Sequence, residues 1–150
     1  MEAPKKREMI GIIIFDGEKF LLLHRVLHWD GWEFPKGGMM EGESPEEAIK
    51  RELFEETGAP KFEIISEIDK AEFFDSVRKS DSHVTNYLVR IPSTTDVTFE
   101  NQETFDNGQQ LVEHDKFKWF LPGEAVETVT HENQKESLRK AIGMLGIGAE

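Results

Sequence analysis

Cysteine is absent from this 150-residue chain. Its absence excludes disulfides, thiolate zinc sites and a cysteine nucleophile together, and it is compatible with a cytoplasmic protein. Positive charge is scarce: 18 Lys and Arg stand against 30 Asp and Glu, for a net charge of −12. Such a surface repels nucleic-acid backbones and anionic membranes, so nonspecific binding to either is not expected. An anionic substrate would need a local positive patch or a metal ion. Long apolar runs are also missing. MIGIIIF (9–15) stops at Asp16, well short of the roughly 20 residues of a membrane span, and no signal peptide is readable. Tyrosine occurs once, at Tyr87, but phenylalanine occurs eleven times and apolar residues make up 37%, which supports a packed core over disorder. The length suits one domain over residues 1–150, expected in the cytoplasm as a monomer or homodimer.

The pattern along the chain alternates strands and helices. MIGIIIF (9–15), an Asp-Gly turn signal and FLLLHRV (20–26) read as a hairpin. WEF (32–34) reads as a short strand stopped by Pro35 and the Gly37-Gly38 pair. Ser44-Pro45-Glu46-Glu47 has the form of a capping box with proline at the first helical position, and Gly58 is a natural stop, so the spacing predicts a helix from Pro45 to Thr57. Two strands are expected over 62–77 and 83–91, paired antiparallel, then a polar stretch over 92–110 read as loop with one short strand. A strand over 116–120, a helical turn beginning at Pro122 and a helix over 132–145 complete the order. In that last helix Leu138, Ile142 and Leu145 share a face. Strands, helix, strands, helix make an α+β or α/β/α arrangement.

Within the helix of residues 45–57, Glu52, Glu55 and Glu56 fall on one side, because i, i+3 and i+4 positions are neighbours. Ile49, Leu53 and Phe54 lie mostly round the other side, where a core contact is expected. Like charges so placed repel. Solvated faces usually interleave opposite charges instead, and here Lys50 and Arg51 are offset around the helix. Two readings stand: a solvated acidic face, or a site for a hard divalent cation. Without cysteine or paired histidines, oxygen ligands suit Mg²⁺ or Mn²⁺ far better than Zn²⁺.

The spacing decides between them. Gly37, five residues, Glu43, seven residues, then Arg51-Glu52-Leu53-Phe54-Glu55-Glu56-Thr57-Gly58-Ala59 resembles the signature of the Nudix hydrolases at every fixed position. A chance match has a probability of roughly 10⁻⁸ per register at ordinary residue frequencies. The closing aliphatic is only Ala59, followed by Pro60. The resemblance implies an α/β/α sandwich with a mixed central sheet, and hydrolysis of a nucleoside diphosphate linked to another group. It implies that Gly37, Glu52, Glu55 and Glu56 belong to the metal site, that the three glutamates bind cations or activate water, that Arg51 orients them, and that Glu43 supports the same network. The implied cofactor is Mg²⁺, with Mn²⁺ as a substitute.

Outside this box, WEFPKGG (32–38) is similar to the W-x-x-P-K-G segment of Nudix enzymes acting on dinucleoside polyphosphates, and to the W-x-F-P-Q-G-G segment of bacterial RNA 5′-pyrophosphohydrolases. Lys36 would then contact phosphate, and Trp32 is expected in the core. LVEHDKFKWFLPGEAVE (111–127) resembles the E-H-x-x-aromatic-x-W segment of the diadenosine tetraphosphate hydrolases. That likeness implies a ligand or base role for Glu113; His114 reads equally well as a surface residue, and Trp119 as core. Tyr87 in NYLVR is similar to a strand aromatic that holds adenine in those enzymes. Phe73 and Phe74 are rival stackers, of which alternation sends one inward, with Phe74 taken as the outward one. Arg25 would reach a phosphate, and His24 and His28 sit near the rim. Gly38 stands where those hydrolases commonly carry histidine, and no ADP-ribose-type proline follows the box. The resulting expectation is a metal-dependent hydrolase of dinucleoside polyphosphates. Its alternatives are the same chemistry on RNA 5′ ends, oxidised nucleoside triphosphates, diphosphoinositol phosphates or nucleotide sugars, and a nucleotide-sensing module without catalysis, against which the intact box carboxylates argue.

Overall fold

The computed structural model describes residues 5–76, 79–98, 105–106, 109–110 and 113–147. Its centre is β1 (Lys5–Phe15), a strand buried on both faces from Met9 to Phe15. Ile10, Ile12 and Ile14 join one core cluster, and Ile13 and Phe15 join another. A continuous apolar run is what a strand covered on both sides requires, and each of these side chains contributes roughly 1.5–3 kcal/mol through burial. β1 pairs in parallel with β6 (Ser80–Arg90) along its whole length, and β6 pairs antiparallel with β5 (Glu63–Asp75). The antiparallel pair expected over 62–77 and 83–91 is therefore present. β1 also starts earlier than its apolar run, because Lys5, Lys6 and Arg7 continue the ladder with β6.

The expected hairpin from β1 to β2 (Phe20–Arg25) pairs only at Ile14↔Leu21 and Phe15↔Phe20, after which the strands part. Asp16 Oδ1 accepts from the backbone N–H of Glu18 and Lys19, and Gly17 adopts φ +109° in the turn. Two short strands fill the opening V. β3 (Gly31–Glu33) pairs with β2, and β4 (Lys36–Gly38) pairs with β1. The Gly37-Gly38 pair was expected to stop a strand; it forms one, because the free lower edge of β1 offers hydrogen bonds to the chain as it crosses the V at Phe34-Pro35. Pro35 O accepts from Ile12 N at 2.8 Å, and Phe34 plugs the gap in a buried position.

Past β6, a two-residue ladder joins β7 (Phe105–Asp106) and β8 (Gln109–Gln110), where the sequence reads as loop with one short strand. β9 (His114–Phe120) then pairs antiparallel with the outer edge of β2. Helix α1 (Pro45–Thr57) covers one face through Ala48, Ile49 and Leu53. Helices α2 (Pro122–Thr128) and α3 (Glu132–Leu145) cover the other through Ala125, Leu138, Ala141 and Ile142, with Leu145 packed at the margin. The result is the expected α/β/α sandwich on a mixed sheet. The predicted bounds of α1 hold: Ser44 and Glu47 form the capping box, and Gly58 closes the helix at φ 75° with its N–H bonded to Phe54 O. Such a cap stabilises the helix by about 1 kcal/mol. No helix among the described residues is long and apolar enough to cross a membrane.

Candidate functional site

The glutamates of α1 do not form a solvated face. Glu52 and Glu56 sit four residues apart on the buried side of the helix, 7% and 6% exposed, while Phe54, expected to face the core, is 46% exposed. Glu55 lies between these extremes. Beneath Glu52 lies β4: a Cβ on Gly37 would fall 2.1–2.4 Å from the Glu52 carboxyl atoms. Only glycine lets the strand pass this close, so the absence of a side chain at Gly37 makes room for the Glu52 carboxyl.

Arg51 ties the loop between β4 and α1 to the helix. Its Nε and Nη2 donate to the two Glu43 oxygens, each at 2.9 Å, and Nη2 also donates to Gly38 O at 2.9 Å. Its Nη1 donates to Glu52 Oε1 at 2.6 Å and lies 3.5 Å from Glu55 Oε2. Arg51 thus links Glu52 and Glu55 on the helix to Glu43 on the preceding loop. The Arg51 hydrogen bonds, aided by the Met40 backbone N–H, hold the Glu43 carboxyl down at about 2. Glu52 goes the other way. Burial pushes its pKa up to about 7 despite Arg51, and Glu56 adds to the rise. Burial likewise raises Glu56, with Glu113 reinforcing the rise and His114 opposing it.

A second group faces these carboxylates from the other half of the V. Glu33, 1% exposed, takes Arg25 Nη1 at 3.1 Å and His114 Nε2 at 2.9 Å, both on Oε2. His114, for which the sequence left a surface place open, is 2% exposed, and its Nδ1 lies 3.0 Å from Glu56 Oε2, an ion-pair distance off the line of a good hydrogen bond. Arg25 Nη1 also donates to Glu113 Oε1 at 3.0 Å, and Nε donates to Leu27 O. Burial alone would lower the pKa of His114, but the Glu33 and Glu56 carboxylates raise it to about 9. Burial would raise Glu33, yet His114 and Arg25 outweigh it and leave the group lowered.

Lys36 points from β4 to the opposite face of the sheet from Gly37. Its Nζ lies 4.9 Å from the Phe73 ring centroid, and burial lowers its pKa against the pull of Glu33. Lys36, Phe73, Phe34 and Asn86 help line a shallow, solvent-open depression. Alternation does split the rival aromatics: Phe73 borders this depression, while Phe74 is 55% exposed on the other face. Tyr87 also lies on that other face, packed against the core cluster under α1. The structure therefore brings together Glu43, Arg51, Glu52, Glu55 and Glu56 on one side and Arg25, Glu113 and His114 on the other, with Lys36 beside Glu33. It leaves Tyr87 and Phe74 apart from Lys36. Trp32 and Trp119 pack against the two core clusters as expected. Glu33 escaped the sequence reading, although a charged residue between two strand aromatics that share a face was a signal for it.

The residues at α1 fit a hard divalent cation. They offer only carboxylate oxygens, two of them on deeply buried glutamates, and Arg51 balances part of that charge. Glu33, Glu113 and His114 also bring ligand atoms within 4.8 Å of one another. There, however, Arg25 Nη1 already stands between the two carboxylates, so a guanidinium fills the place a metal would take.

Fold and site together define the class: an α/β/α sandwich carrying a glycine-cradled cluster of carboxylates on one helix. The NUDIX domain model matches residues 5–141, and the chain belongs to the Nudix hydrolase family. Similar proteins include Nudix hydrolase 25 of Arabidopsis thaliana, 29% identical over 138 residues that span 83% of this chain and 77% of the relative. An RNA pyrophosphohydrolase of Bartonella bacilliformis is 29% identical over 133 residues, spanning 75% of this chain and 76% of the relative. Among solved structures, a C. elegans Ap4A hydrolase binary complex superposes with a TM-score of 0.75 at 22% identity, covering 93% of this chain and 98% of that one. A MutT protein from Methanosarcina mazei Go1 superposes with a TM-score of 0.69 at 16% identity, covering 97% and 99%. At these identities the superpositions speak for the fold.

Proposed function

We propose that the protein is a Mg²⁺-dependent pyrophosphohydrolase of dinucleoside polyphosphates, cleaving diadenosine tetraphosphate to ATP and AMP, with Mn²⁺ able to replace Mg²⁺. The carrying observation is the convergence on one cleft of buried Glu52 and Glu56 with Glu113, where Glu33, Glu43, Glu52, Glu55, Glu56 and Glu113 outnumber Arg25, Arg51 and His114 and leave an excess of negative charge that a bound cation would relieve. Bound divalent cations would neutralise the pyrophosphate and lower the pKa of an attacking water. Glu52, Glu55, Glu56 and Glu113 are the residues that would hold them. Arg51 keeps Glu52 and Glu55 aimed, and Gly37 leaves room for Glu52. Lys36, on the face of β4 away from Gly37 and beside Phe73, is the cation assigned to a phosphate of the substrate, and its partial desolvation strengthens that attraction. Phe73 beside it offers a ring to a base. The dinucleoside polyphosphate class is supported by the Glu113-His114 segment and by the net charge of −12, which disfavours long RNA.

A second reading, removal of pyrophosphate from RNA 5′ ends, is favoured by the name of the Bartonella bacilliformis relative and by WEFPKGG. Cleavage rates on diadenosine tetraphosphate, triphosphorylated RNA and nucleoside triphosphates, compared at equal Mg²⁺, separate the two. A strong preference for RNA ends overturns the first.

A further inference from the structure

Glu33 stands outside the family's box, and its strand has no need of a charge there. Its neighbours Trp32 and Phe34 face the core under α2 and α3, and alternation turns Glu33 to the other side. A carboxylate this deeply buried is costly unless it is paired, and its pairing has a direction. Glu33 Oε2 meets Arg25 at 3.1 Å and His114 at 2.9 Å; His114 reaches on to Glu56 at 3.0 Å, and Arg25 reaches back to Glu113 at 3.0 Å. The chain Glu113–Arg25–Glu33–His114–Glu56 runs from the β2/β3/β9 half of the molecule to helix α1. It begins and ends on carboxylates of the cation site. Packing alone asks for none of this, since well-packed apolar residues commonly replace buried ion pairs at no loss.

We propose that Glu33 and His114 are positioning residues that hold the Glu56 and Glu113 carboxylates in the orientation that receives a divalent cation. The inference rests on the metal-dependent reading of the site. A glutamate side chain has several rotatable bonds, and a ring wedged between two carboxylates fixes one of them before the cation arrives. Hydrogen-bonded partners behind ligating carboxylates act in this way generally. Arg25 Nη1 is shared between Glu33 and Glu113 in the same chain, so Arg25 helps to hold both carboxylates.

The test is Mn²⁺ binding by calorimetry to the metal-free full chain, for the wild type, Glu33→Gln, His114→Gln and the double variant, with near-UV circular dichroism fixing the folded concentration. Each single change is expected to weaken Mn²⁺ about 10-fold, and to lower kcat with the nucleotide KM held within about two-fold. Because both residues act through one chain, the double variant should bind no more weakly than the weaker single. Should His114→Gln fail to fold, Glu33→Gln alone decides the matter. Single variants within about two-fold of the wild type, or effects that multiply in the double variant, overturn the proposal. A wild type that binds no Mn²⁺ overturns the metal-dependent reading itself, which is a different result.

Discussion

Glu52 makes the metal-free protein less stable as pH rises. Burial lifts its pKa from 4.5 to about 7, while in the unfolded chain it titrates near its ordinary value. Between about pH 4.5 and 7 the native state therefore holds the extra proton, and stability falls as pH climbs through that window. The side chain is only 9% exposed, so solvent screens little of this. A rise from 4.5 to about 7 corresponds to about 3 kcal/mol, reached in full above pH 7. For a chain of this size that is about 6–12 °C in Tm. Other groups titrate nearby. His114, raised to about 9, loses stability above pH 6.5, whereas His131, lowered by burial, gains stability up to that pH. The informative quantity is therefore the Tm of the wild type minus that of Glu52→Gln, followed from pH 4.5 to 8 by scanning fluorimetry. The wild type is expected to lose about 6–12 °C relative to the variant across that range, and saturating Mg²⁺ should abolish the loss. A difference that stays flat with pH refutes the reasoning.

Three further outcomes are expected. Glu56→Gln, which keeps the volume of a buried side chain, should cut turnover at least about 100-fold and blunt the rise in Tm on adding Mg²⁺; unchanged turnover removes the metal assignment. Gly37→Ala places a methyl 2.1 Å from the Glu52 carboxyl carbon and should cost about 10²-fold in kcat through a displaced ligand, measured by steady-state kinetics on folded protein. Lys36→Met should lower kcat/KM about 10–100-fold, mostly through KM, the size expected for one charge-assisted contact.

The helix and its chemistry were legible because both are local. Ser44, Pro45, Glu47 and Gly58 mark the ends of α1 by backbone rules that need no tertiary context, and the box spacing lies within one loop and one helix. What local pattern does not carry is which face of an element is covered. Glu52 and Glu56 were placed with Glu55 on one side, but the sheet buries the first two and turns Phe54 outward. Tyr87 could not be sided from NYLVR alone, since β6 is covered by α1 on one face and by α3 on the other. Strand β4 was hidden for a related reason: its pairing depends on β2 leaving β1, a long-range event that glycines do not announce. Glu33 and His114 are 81 residues apart and meet only when β3 and β9 flank β2.

The most direct test of the account is the identity of the products released from diadenosine tetraphosphate by the purified protein, with Mg²⁺ and again after chelation. ATP and AMP in equal amounts with Mg²⁺, and no release after chelation, are the predicted result. Intact dinucleotide in Mg²⁺ and Mn²⁺, or equal release in the chelated sample, would contradict it.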